Sequence, residues 1–307
     1  MKVASAFFLV CIALVFFVVL QLSDAFVHIY FCDVGQGDSI LITYKDTQIL
    51  VDGGRDAQVL DCLKKTVPFW DRKIELIVAT HADTDHIGGL ASVVSSYVVE
   101  KLLVPAHSSQ TADFREFYLA VSREQMSGIT LIEPQVGLGV NISNEFQLTV
   151  LAHRGADGQL NPPWNSLSET ELWDSSLINN TVTSNTNDGS IVLFMSHKQV
   201  SALLTGDLEA SGEQALLSND LIDRVTILKV GHHGSKTSSS EPFLDQVLPE
   251  IAVISVGEKN KYGHPHQEVL TRLQQKGAQI MRTDIEGTIH LVSNGQQVKR
   301  APVWFLL

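Results

Sequence analysis

Positive charge is scarce in this chain. Its 307 residues carry 22 Lys and Arg against 34 Asp and Glu, a formal net charge of −12. That balance excludes a protein that coats a polyanion through a broad basic surface. It leaves open a site where bound divalent cations attract anions locally. Cysteine is nearly absent: there are three. Cys11 lies in an apolar leader, and two remaining thiols make no disulfide framework. Cys32 and Cys62 are expected as buried thiols, with a bridge between them as the alternative. No low-complexity linker interrupts the sequence. Beyond the leader there is no second long apolar run, which excludes a multi-helix channel. With 44% hydrophobic and 18% charged residues, the composition is that of a folded globular chain.

Lys2 precedes an almost unbroken apolar run from Val3 to Leu20, followed by Gln21-Leu22-Ser23-Asp24-Ala25. Residues 1–25 read either as a secretory signal cleaved after Ala25 or as an uncleaved anchor, with residues 3–20 as a membrane tether. Both place the remainder, residues 26–307, outside the cytoplasm as a secreted, periplasmic or membrane-anchored domain.

The sequence is richest at Thr80-His81-Ala82-Asp83-Thr84-Asp85-His86-Ile87-Gly88-Gly89. Four metal-competent side chains fall within six residues, in the order H-x-D-x-D-H. A tight loop of this composition presents ligands on both sides, so one segment can serve two neighbouring cations. Mixed imidazole and carboxylate suit Zn or Mn. An apolar strand is expected before it, Ile74–Thr80, and a helix after it, Leu90–Tyr97. Open α/β sheets place their chemistry at such strand ends.

The surrounding pattern alternates strands and helices. Strands are expected at 27–33, 39–44, 48–52, 74–80, 101–105, 130–132, 147–151, 190–197, 200–205, 225–230, 251–256, 279–282, 288–292 and 297–305. Helices are expected from about Val59 to Val67, stopped by Pro68, and at 90–97, 113–126, 208–217 and 267–276. Asn294-Gly295 is a strong hairpin turn. Residues 154–186 are polar and too long for an ordinary connection. They read as a lid leaving from His153 or as a surface insertion.

In order along the chain come Asp33-Val34-Gly35-Gln36-Gly37-Asp38-Ser39, Val51-Asp52-Gly53-Gly54, the H-x-D-x-D-H segment, Thr205-Gly206-Asp207, Gly231-His232-His233-Gly234-Ser235 and Tyr262-Gly263-His264-Pro265-His266. On these strings the chain resembles the metallo-β-lactamase superfamily, and within it the hydrolase domain of DNA-uptake competence proteins of the ComEC type. The superfamily motif is usually H-x-H-x-D-H; Asp83 replaces the second His here, as in that subgroup. The resemblance implies an α/β fold, a four-layer αββα metallo-β-lactamase sandwich, holding two divalent metal ions, Zn or Mn.

The resemblance further implies that His81, Asp83 and His153 take one metal. Asp85, His86 and a histidine after Gly231 take the other, with Asp207 between them. His232, directly after the expected strand, is the expected ligand, and His233 then faces substrate or the leaving oxygen; the reverse order stays open. Asp85, His233 and His264 are the expected catalytic side chains, His264 as proton donor or phosphate contact. Asp38 and Asp33 flank a loop able to line the site, and Asp52 is expected to support the ligand loop through hydrogen bonds. Ser235, Lys236 and Thr237 are candidate phosphate contacts. Asn187 and Ser190 match a family N-x-x-S string that a turn explains equally well.

The expected activity is hydrolysis of a phosphodiester, with DNA as the partner the resemblance implies. Hydrolysis of a β-lactam, a lactone or a cell-wall phosphodiester is the enzymatic alternative, and an accessory protein that binds DNA or wall polymer without turnover is the other. Lacking a multi-helix channel, the chain is not itself expected to translocate DNA.

Overall fold

The structure is a computed structural model that describes Phe8 and residues 25–104, 111–125, 128–152 and 187–303. His153, the 154–186 stretch and nearly all of the leader, with the ligand, lid and leader expectations placed on them, lie outside the described residues. No helix among the described residues is long and apolar enough to cross a membrane.

The first part of the chain runs β1 (Val27–Phe31), β2 (Ile40–Tyr44), β3 (Thr47–Val51), α1 (Val59–Thr66), β4 (Lys73–Val78), α2 (Thr84–Ile87), α3 (Leu90–Ser96), β5 (Val98–Leu103), α4 (Ala112–Gln125) and β6 (Thr130–Ile132). The second runs β7 (Gly139–Asn141), β8 (Phe146–Ala152), β9 (Val192–His197), β10 (Val200–Leu204), α5 (Ala210–Ser218), β11 (Ile227–Lys229), α6 (Glu241–Val247), β12 (Ile251–Ile254), α7 (Gln267–Gln275), β13 (Gln279–Arg282), α8 (Thr283–Glu286), β14 (Ile289–Ser293) and β15 (Val298–Ala301).

The strands form two sheets, ordered β15-β14-β1-β2-β3-β4-β5-β6 and β13-β12-β11-β10-β9-β8-β7. Each is antiparallel in one half and parallel in the other, the parallel halves being β3-β4-β5-β6 and β10-β11-β12-β13. Parallel neighbours need crossovers, and right-handed crossovers lay their helices on one face. That is why α1, α3 and α4 cover the first sheet and α5, α6 and α7 the second. The sequence halves are not separate sheets: the C-terminal β14–β15 hairpin crosses over and pairs with β1 in the first sheet.

Period-two alternation sorts the side chains into three apolar layers. Ile29, Ile42, Ile49, Val78, Leu148, Met195, Leu204 and Val253 fill the space between the sheets. Their neighbours Leu41, Leu50 and Ile77 pack under the first helix layer, with Val59 and Leu63 of α1 and Val93 of α3. Leu203, Leu228 and Ile254 pack under the second, with Leu216, Phe243 and Leu273. Together they make the four-layer αββα sandwich.

Helix α6 was not expected from the sequence. Its run Glu-Pro-Phe-Leu-Asp-Gln-Val is seven residues long, too short for an apolar period to stand out. The segment just ahead of it is tied to α5, where the buried Glu213 accepts hydrogen bonds from the backbone N–H groups of Ser239 and Ser240.

Cys32 and Cys62 are joined in a disulfide, which corrects the expectation of buried thiols. The two residues lie 30 apart in sequence, but β1 ends directly beneath α1, and their Cα atoms stand 5.9 Å apart, within bridging range. Closing a loop of that length stabilises by about 3 kcal/mol in the chain-entropy account. Reduction, or the double substitution Cys32→Ala with Cys62→Ala, should therefore lower the melting temperature by several degrees. Equal thermal melts with and without reductant would contradict this.

Candidate metal centre

The loops that leave the parallel strands converge at one end of the sandwich. β3 delivers Asp52, β4 delivers Thr80 to His86, β10 delivers Asp207, β11 delivers His232 and His233, and β12 leads to the loop carrying His264. The loops are stitched backbone to backbone. Asp38 N–H donates to the Asp85 carbonyl at 3.1 Å, Gly53 N–H to that of His86 at 2.7 Å, and Ile191 N–H to that of Thr80 at 2.8 Å. Two glycines permit this closeness. A Cβ on Gly37, at φ +131°, would lie 2.0 Å from the Asp85 carbonyl oxygen, and one on Gly89 2.1 Å from that of Gly53. Only glycine fits either place.

Four overlapping groups of metal-competent side chains result among the described residues, His81–His86–Asp207, Asp85–His86–His233, Asp38–Asp52–His86 and Asp38–Asp207–His233, each with ligand atoms within 4.8 Å of one another. His86 Nε2 is 3.3 Å from Asp207 Oδ1, and His233 Nε2 is 3.5 Å from Asp85 Oδ2 and 3.4 Å from Asp207 Oδ2. Among the described residues, His81 Nε2, His86 Nε2, His233 Nε2 and Asp207 Oδ1 are buried without a hydrogen-bond partner. Buried polar atoms are rarely left so, and four of them facing one another fit a site shaped for cations. Asp83 is more exposed, with its Oδ2 3.8 Å from His81 Nε2.

The ring orientations are fixed from behind. His86 Nδ1 lies 2.8 Å from Asp52 Oδ2, and the same oxygen accepts from Thr80 Oγ1 at 2.7 Å. Asp52 Oδ1 accepts from Thr80 N–H at 2.7 Å. With its own proton given to Asp52, Thr80 Oγ1 accepts from His81 Nδ1 at 3.0 Å. This network assigns the Nδ1–H tautomer to both rings and leaves each Nε2 facing the centre. His233 Nδ1 donates to the Ser255 carbonyl at 2.9 Å, with the same effect.

Of the two histidines after Gly231, the structure turns His233 rather than the expected His232 into the cluster. The strand ends at Lys229 rather than Val230, and Gly231–Gly234 forms a 3₁₀ turn in which both histidines are left-handed, φ 47° and 52°. That turn carries His233 into the centre, 1% exposed. His232 is left at the rim, its Nδ1 3.1 Å from Glu209 Oε1 and its Nε2 3.8 Å from Asp207 Oδ2. Left-handed backbone at two successive histidines costs on the order of 1–3 kcal/mol each, and no residue pattern foretells it.

Behind the centre lies a second network that the sequence reading left without a role. Lys229 is fully buried, and its Nζ is 2.5 Å from Asp38 Oδ2. The same ammonium donates to the carbonyls of Val230 at 3.0 Å and Gly206 at 3.4 Å. Asp38 Oδ1 in turn lies 3.4 Å from His233 Nδ1. The signal was a lone lysine in an otherwise apolar strand, Val-Thr-Ile-Leu-Lys-Val. Asp33, by contrast, is exposed and accepts from Gly35 N–H of its own loop. Ser190 Oγ accepts from Asp207 N–H at 3.2 Å and lies 3.5 Å from His81 Nδ1, so it packs between two ligand loops. Ser235 and Thr237 bond each other, and Thr237 bonds Glu209. Ser235 is buried, while Lys236 and Thr237 are exposed.

Electrostatics follow the geometry. Burial, joined by the neighbouring His86, lowers His81 to about 4 and keeps its ring neutral. Burial also disfavours charge on His233, but Asp207, Asp38 and Asp85 outweigh it and raise the ring to about 10. His86 is likewise raised, burial being outweighed by Asp207 and Asp52. Burial would neutralise Asp38, yet Lys229 and His233 hold its carboxyl down at about 2. His264 is lowered to about 4 by burial and by His233, His232 and His266, so at neutral pH its ring is a neutral hydrogen-bonding group.

Comparison with known proteins agrees with this architecture. A sequence model described as the Metallo-beta-lactamase superfamily matches residues 32–258. The chain is 33% identical over 276 residues to ComE operon protein 3 of Bacillus subtilis, across 84% of this chain and 32% of that protein. It is 28% identical over 277 residues to Recombination protein 2 of Haemophilus influenzae, across 88% of this chain and 29% of that one. It thus spans about a third of the length of these curated relatives. Among solved structures, the metallo-beta-lactamase fold protein YhfI of Bacillus subtilis superposes with a TM-score of 0.52 at 10% identity, covering 87% of this chain and all of that one, a likeness of fold alone. With the profile match spanning most of the chain and the paired sheets meeting at a histidine–aspartate centre, the chain belongs to the metallo-beta-lactamase superfamily.

Proposed function

We propose that this protein is an extracytoplasmic, dinuclear metal-dependent phosphodiesterase whose substrate is DNA. The observation that carries the proposal is the set of buried, unpartnered Nε2 atoms of His81, His86 and His233 around Asp207. His81 and Asp83, with His153, would hold one cation; Asp85, His86 and His233 the other, and Asp207 would lie between. Two divalent cations there, Zn or Mn, would supply an ionised water and charge stabilisation for a phosphoryl centre. The names of the relatives, a recombination protein and competence proteins, favour DNA over a β-lactam or a wall polymer. The Cys32–Cys62 bridge favours an oxidising compartment, in keeping with the apolar leader.

The chain's own residues would divide the remaining work. Asp52 and Ser255 hold the imidazoles with Nε2 inward. Lys236 supplies a cation at the rim. His264, neutral at neutral pH, is placed beyond His232, their ring centroids 5.6 Å apart, to hydrogen-bond a phosphoryl or leaving oxygen. Lys229 touches no substrate position; it keeps Asp38 ionised and ties the loops of Asp207 and His233 together.

The decisive experiment incubates the purified protein with DNA, bis-p-nitrophenyl phosphate and nitrocefin, each with Mn or Zn. Phosphodiester turnover that disappears in Asp207→Ala is expected. Nitrocefin hydrolysis alone would overturn the substrate assignment, and absence of bound metal would overturn the enzymatic one. Metal affinity, followed by calorimetry, should rise with pH between 6 and 9. The His233 ring is held at about 10, so protons compete with the cation below that value, and the competition weakens as pH rises.

Lys229→Met should destabilise the fold by roughly 3–5 kcal/mol, because Asp38 is left charged and buried. It should also weaken metal binding roughly 10- to 100-fold, as loss of an outer support does. Adding Asp38→Asn should recover much of the stability in a denaturant titration but not the metal affinity. Unchanged stability in the single variant would remove Lys229 from this role.

A further inference from the structure

Beyond His264 the loop from Gly257 to His266 carries an exposed aromatic ring that the phosphodiesterase reading does not use. Tyr262 is 59% exposed, and it stacks on His264 with ring centroids 5.6 Å apart and planes 24° from parallel. The loop that presents it is well braced. Asn260 Oδ1 accepts from the N–H groups of Tyr262 at 3.2 Å and His264 at 3.0 Å. Asn260 Nδ2 donates to the carbonyls of Gly257 at 2.9 Å and His264 at 2.8 Å. Both ends of the loop are fastened: Gly257 N–H to Gln36 Oε1, in the loop that carries Asp38, at 3.3 Å, and His266 N–H to the Gly234 carbonyl, beside His233, at 2.9 Å. The tyrosine is therefore held out on a fixed frame, at the end of a row of rings that starts at the metal centre: His233, His232, His264, Tyr262.

A rigidly mounted aromatic costs energy to leave in water, and its position restricts what it can meet. A phosphoryl group seated at the cations places its flanking substituents within a residue or two of the rim. Lys259 and Lys261, both just ahead of Tyr262, are exposed on the same loop, and Lys236 is exposed on the segment after His233; Glu258 is exposed there as well. An exposed aromatic face on a lysine-bearing loop, in a chain of net charge −12, matches the way single-stranded nucleic acid is held: backbone to cations, bases to rings. A base inside a duplex has both faces covered by its neighbours and cannot offer one.

We propose that Tyr262 is a base-stacking platform that selects phosphodiesters bearing an unpaired nucleobase beside the scissile phosphate. This rests on the phosphodiesterase reading and narrows it: a polyol or wall phosphodiester has nothing to lay on the ring.

The test compares wild type, Tyr262→Leu and Tyr262→Phe on oligothymidylate and on an abasic oligomer of the same length. Tyr262→Leu should lose roughly tenfold in kcat/KM on oligothymidylate, mostly through KM, and stay within about twofold on the abasic oligomer, since only the base partner is removed. Tyr262→Phe should match wild type. Binding of a single-stranded oligonucleotide containing 2-aminopurine, in an Asp207→Ala background, should quench the base in a Tyr262-dependent way. Equal losses on both oligomers, or none on oligothymidylate, would overturn the proposal while leaving phosphodiester hydrolysis intact. If wild type cleaves neither oligomer but the quenching still requires Tyr262, the platform stands and the hydrolytic reading falls. If cleavage and quenching are both absent, both fall.

Discussion

One buried carboxylate sets the geometry on which the centre depends. Asp52 sits at the end of β3 with a left-handed backbone, φ 60°, and is wholly inaccessible to solvent. It receives Thr80 N–H, Thr80 Oγ1 and His86 Nδ1. Through the threonine hydroxyl it reaches His81 as well. A single charge thus fixes the tautomer and direction of two imidazoles, one in the loop after β4 and one on α2. The low-dielectric surroundings strengthen such a network when every member is satisfied. Asp38 plays the matching part on the other side, held by Lys229 and facing His233.

The sandwich explains why these carboxylates are affordable. Burying a charge without a partner costs several kcal/mol, so each is placed where a strand end meets a loop and donors are available. The parallel halves of the two sheets bring five such ends to the same edge. The antiparallel halves contribute no proposed ligand among the described residues; they enlarge the inter-sheet core, to which Phe146, Leu148 and Met195 belong.

Much of this was legible in the residues, and the failures have definite causes. The order of strands and helices could be read because alternating apolar runs and amphipathic stretches carry their period in the sequence. Helix α6 was missed because its seven residues are too few for an apolar period to show. The H-x-D-x-D-H segment drew attention by density alone. His232 and His233 are chemically identical, and only the backbone of the turn distinguishes them; side-chain chemistry cannot say which ring goes inward. Lys229 could have been noticed as a charge in an apolar strand, but its partner lies far away in the chain and on a different sheet. The bridge between Cys32 and Cys62 is a matter of proximity between β1 and α1, which two isolated cysteines do not reveal.

That bridge has a bearing on the centre that neither network shows alone. In the linear order of the chain, Asp38 and Asp52 both fall between Cys32 and Cys62. The two side chains that orient the imidazoles therefore ride on one covalent hoop, and neither can drift far without deforming it. Precision at the ligands is inherited from a sulfur–sulfur link that never touches them.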